Sequence, residues 1–178
     1  QPAMPMTAHL ARGRLAAARV GAVVFDGEVR RVVRPQRANA AALTHLLDDL
    51  QPHLVDSDYQ AGFARVASAK RSLVIVFTDL LDAAAARPLL AAVPVLVRRH
   101  AVLVAGTNDP DLVEAVTRPP SSRRALLEAG VATEILAERD QVRSRLAGVG
   151  AVVVDAPVER LATRCVSAYL QLKSTARI

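Results

Sequence analysis

The sequence predicts an α/β fold: a doubly wound, mostly parallel sheet with helices on both faces and one antiparallel hairpin at an edge. Three observations carry this. Short aliphatic runs such as Leu73-Val74-Ile75-Val76-Phe77 lack polar alternation, as strands buried on both faces do. Such runs alternate with segments of helical periodicity. The run through Phe77 ends in Thr78-Asp79, which delivers a carboxylate to the strand end where open α/β sheets place ligands.

The elements follow in order. Residues 7–19 predict a short helix weakened by Gly13. Val20 to Phe25 is an apolar strand, and Asp26-Gly27 is a hairpin turn signal. Residues 28–34 predict an edge strand, blunted by arginines and ended by Pro35. Leu43, Leu46, Leu47 and Leu50 mark a helix over 38–50. Asp56 or Ser57 is a suitable N-cap for a helix through Ala69. After the strand 72–79, Asp82 caps a helix to about Arg99 that Pro94 should kink. A strand over 101–106 precedes a short helix started by Asn108-Asp109-Pro110. Residues 123–147 predict a longer helix broken near Gly130, then a strand over 151–154 and a last helix to about Thr175. The strands at 20–25, 72–78, 101–105 and 151–154 are expected in the sheet interior.

Bulk properties bound the function. At 178 residues the chain can bury a sizeable core, and with three Phe, two Tyr and no Trp that core is expected to be aliphatic. No apolar run is long enough to span a membrane, and residues 1–13 do not read as a signal peptide. The net charge is +6, yet 21 of the 23 basic residues are dispersed arginines without interleaved aromatics. That argues against nucleic-acid binding, which uses aromatic stacking platforms. Cys165 reads as a buried, inert thiol. The four histidines show no zinc spacing, and no P-loop, Gly-rich dinucleotide motif or nucleophile elbow occurs. No catalytic residue is therefore assigned.

Several motifs occur in a characteristic order. These are Arg19-Val20-Gly21-Ala22-Val23-Val24-Phe25-Asp26, Asp56-Ser57-Asp58-Tyr59, and Leu73-Val74-Ile75-Val76-Phe77-Thr78-Asp79-Leu80. Val153-Val154-Asp155-Ala156-Pro157 and Ala168-Tyr169-Leu170-Gln171-Leu172-Lys173 close the series. The arrangement resembles the von Willebrand factor A-like family of unknown function often encoded beside MoxR-type AAA+ ATPases. The resemblance spans about Arg19 to Ile178 and implies a single von Willebrand factor A-like domain over 1–178. It also implies a metal-ion-dependent adhesion site, in which hard oxygen ligands suit magnesium and one coordination position stays open. By the resemblance, Asp79 matches the third-loop Asp, and Ser57 or Asp58 sits where the second-loop ligand belongs. The first-strand Asp-x-Ser-x-Ser is missing, so the domain reads as N-terminally incomplete and the site as vestigial. No cofactor is expected unless the first-strand ligands are supplied, in which case magnesium fits.

The leading expectation is a non-enzymatic protein-interaction domain. Its partner would be a MoxR-type AAA+ ATPase or its client, bound at the C-terminal rim through Asp58, Asp79, Thr107 and Asn108. The alternative is a metal-dependent hydrolase or phosphatase using Asp79 and Asp58. Each candidate also has a plainer reading: Ser57 and Asp58 as helix caps, Asp79 as a loop cap, Asp155 as part of a structural loop. The expected location is the cytoplasm, or the cytoplasmic part of a membrane-anchored protein. Without a first strand, 20–25 and 72–78 must pair directly, admit the segment before Val20, or borrow a strand from a second copy. Rearrangement within a homo-oligomer is the expectation.

Overall fold

The computed structural model describes residues 19–37, 44–45, 50–51, 55–79 and 86–175. The chain divides into two compact units, Gln1–Val66 and Ala67–Ile178. The helices expected over 7–19 and 38–50, and the expected cap Asp82, fall largely or wholly outside the described residues.

In the first unit, β1 (Arg19–Phe25) pairs antiparallel with β2 (Val29–Arg37). The loop is Asp26-Gly27-Glu28, because Phe25 registers with Val29. Asp26 organises it: one carboxylate oxygen accepts from the Glu28 N–H at 3.1 Å, and both accept from the Arg30 guanidinium at 2.9 Å. Pro35 does not end β2 as expected. It lies where the register shifts between Val20 and Ala22, so its missing N–H falls at an irregularity of the ladder. The helix α1 (Tyr59–Ala67) is capped by Asp58, in the plainer of its expected roles, rather than by Asp56 or Ser57: its carboxylate accepts from the Ala61 N–H at 2.9 Å. Tyr59 and Phe63 meet Phe25 edge-to-face, with centroids 5.5 and 6.1 Å away. The expected aliphatic core is thus corrected here, since three of the chain's five aromatic residues cluster in this unit.

The second unit is built on a three-stranded parallel sheet in the order β3 (Leu73–Phe77), β4 (Ala101–Thr107), β5 (Val152–Ala156). Among the described residues, α2 (Arg87–Val97), α4 (Arg123–Gly148) and α5 (Val158–Ser174) pack on this sheet, and α3 (Pro110–Thr117) packs against α4. Side chains alternate between the two faces. Leu103, Ala105, Val154 and Ala156 pack with Cys165 and Ala168 of α5. Val102 and Val104 alternate with them and are fully buried, as are Leu89, Val93 and Leu96 of α2 and Val142 and Leu146 of α4. Each such side chain contributes about 1.5–3 kcal/mol on burial. This is the expected α/β layering, with helices on both faces of a parallel sheet.

Two expectations about it are corrected. Among the described residues only β4 is interior. β3 and β5 are the two edges, and β1 belongs to the separate antiparallel pair. A strand's aliphatic run reports burial of its faces, not pairing of its edges, so the run alone could not rank the strands. The second correction is α4, which runs unbroken through Gly130 for 26 residues. Ser122 caps it by accepting from the Ala125 N–H at 3.1 Å. It ends where Gly150, at φ 95°, takes the left-handed conformation that closes a helix. α2 contains Pro94 within its span, as expected, and α3 starts as expected on the Asp109 side chain.

Candidate functional site

A group of polar side chains in the second unit lies at the C-terminal ends of the parallel strands. Asp79 lies just past β3, Thr107 ends β4, Asn108 follows it, and Asp155 sits near the end of β5 beside Gly106. Backbone bonds extend the ladder to these ends: the Thr78 N–H donates to Ala105 at 3.1 Å and the Asn108 N–H to Ala156 at 3.2 Å. The carboxylates and amide are therefore carried on paired backbone.

Arg139 of α4 reaches into this rim and is only 4% exposed. Its guanidinium donates to the Thr107 carbonyl at 2.6 Å and lies 3.6 Å from the Asp79 carboxylate. Asp79 itself is exposed. Burial pushes the Asp155 carboxyl above the usual carboxylate range, and Arg139 and Arg143 oppose that shift. One Asp155 oxygen and the Asn108 side-chain oxygen are buried without a hydrogen-bond partner. A donor, whether water or a ligand group, satisfies such atoms.

The structure thus brings together Asp79, Thr107 and Asn108 in the second unit, while Ser57 and Asp58 belong to the first. Asp58 serves as the cap of α1, and the Ser57 carbonyl accepts from Tyr59 at 3.1 Å. Among the described residues no group of three or more His, Cys, Asp or Glu is placed to hold a metal ion. A guanidinium already neutralises part of the charge a divalent ion would meet at Asp79 and Asp155.

Sequence reasoning did not single out Arg139. A signal was present: Ala132, Arg139 and Leu146 recur at seven-residue spacing, with Val142 between, and all four are buried. An arginine on the apolar stripe of a helix calls for a buried acceptor. Cys165 is buried as expected, and burial pushes its thiol up.

Compared with protein-family models, curated proteins and solved structures, the chain finds no match. Among the described residues no helix is long and apolar enough to cross a membrane.

Proposed function

We propose that this chain is a non-enzymatic interaction domain that binds a protein partner at the C-terminal rim of its parallel sheet. The observation that carries the reading is the exposed Asp79 carboxylate beside a buried guanidinium that is itself anchored on Thr107. A carboxylate oriented in this way presents a fixed charge at low entropic cost, which favours specific recognition. The Asn108 and Asp155 oxygens are buried acceptors at the same rim, for which a bridging water, rather than a direct N–H of the partner, is the fitting donor. The sequence resemblance supplies the rest of the reading. The fold is von Willebrand factor A-like, the adhesion site is degenerate, and the partner is a MoxR-type AAA+ ATPase or its client in the cytoplasm.

Binding of the purified chain to a MoxR-type ATPase from the same genome tests this. Asp79→Lys and Asn108→Lys are each expected to weaken binding at least about tenfold while the thermal transition is kept. Absence of binding, or binding indifferent to both substitutions, overturns the reading.

A further inference from the structure

We infer that β3 is a dimerisation edge, at which two copies of this chain join their parallel sheets through an antiparallel β3–β3 ladder. The inference does not rest on the rim reading. β3 is terminal in its sheet among the described residues. The Thr78 N–H donates to Ala105, and the Ser72 carbonyl accepts from Ala101. Alternate residues point their backbone groups to opposite sides, so those of Leu73, Ile75 and Phe77 face away from β4.

Natural edges are blunted by Lys, Pro, bulges or inward charges. Leu73-Val74-Ile75-Val76-Phe77 has none of these and is rich in residues of high strand propensity. Its side chains alternate, and Ile75 and Phe77 remain 39% and 37% exposed on the face that carries Leu103 and Ala105.

The strand is self-complementary about Ile75. In a two-fold antiparallel pairing centred there, Ile75 meets Ile75 of the second copy, and Leu73 meets its Phe77. All three outward-facing residues fall in hydrogen-bonded positions, and their side chains share one face. The same register sets Arg71 opposite Asp79 of the second copy, twice by symmetry. One end of the strand is basic, with Lys70-Arg71, and the other is acidic, which selects the antiparallel second copy over a parallel one.

Sedimentation equilibrium of the full chain over a dilution series tests the inference. The wild type is expected to be a dimer that dissociates on dilution. Ile75→Lys, which places charge at the two-fold axis, is expected to give a monomer with unchanged circular dichroism. Arg71→Asp should weaken the dimer about tenfold, and adding Asp79→Arg should restore it. The charge exchange lies outside the strand, so it remains informative if Ile75→Lys fails to fold. A wild type monomeric at all concentrations, a dimer indifferent to a folded Ile75→Lys, or a charge exchange that restores nothing overturns the inference. Asn108 takes no part in this ladder, so failure at the rim and failure at the edge are separately visible.

Discussion

The Arg139 guanidinium and the Asp155 carboxyl set the character of the rim by opposite effects. Desolvation raises the Asp155 carboxyl above its ordinary value, while Arg139 and then Arg143 draw it back. Because its folded value is raised, the native state binds more protons than the unfolded chain across that interval. The stability so gained is fully present below the ordinary carboxylate range and is lost as pH rises through the folded value. Asp155→Asn removes the titration. Thermal melts from about pH 4 to about pH 7 are expected to show the wild type losing stability relative to Asp155→Asn as pH rises. A relative gain of the wild type would show that the two arginines outweigh desolvation. This balance was not legible from the Val-Asp-Ala-Pro stretch, where Asp155 reads as an ordinary loop acid. Its neighbours come from a helix and a strand distant in sequence.

At the scale of elements, the sequence marked strands and helices well and their boundaries and partners less well. The aliphatic runs found β3, β4 and β5 because burial of both faces leaves a local signature. The helix caps at Asp109 and Ser122 are also local, and the first was legible from Asn108-Asp109-Pro110. Strand order is not local, and neither is the tolerance of Pro35 and Gly130 within their elements. Gly62 shows how tertiary packing overrides propensity. It lies inside α1, where Ala would ordinarily gain about 1 kcal/mol. A Cβ there would fall 2.5 Å from the Phe25 ring, which Tyr59 and Phe63 hold edge-to-face. Overpacking of this kind costs about 1–3 kcal/mol. Gly62→Ala should therefore lower stability in urea denaturation by about 1 kcal/mol. A stabilised variant would show that Phe25 shifts freely.

At the scale of the whole molecule, the question is whether the oxygen ligands marked in the sequence act as one metal site. The resemblance selected Ser57, Asp58 and Asp79 by motif order, which carries no information on what each group does once folded. Asp58 is engaged as a helix cap in one unit, and Asp79 faces a guanidinium in the other. A magnesium ion at Asp79 would compete with Arg139, and it would approach a chain of net charge +6. Both effects act against a cation, the first at short range and the second within about a Debye length of 8–10 Å at ordinary ionic strength. Even calcium modules with a full set of oxygen ligands reach dissociation constants of only about 0.1–1 mM at their weak end, and magnesium dehydrates more reluctantly. Titration calorimetry with magnesium or manganese is therefore expected to show nothing tighter than the millimolar range. Micromolar binding abolished by Asp79→Ala would show instead that Arg139 yields to the ion. In that case the rim would recognise its partner through a metal rather than through the carboxylate alone.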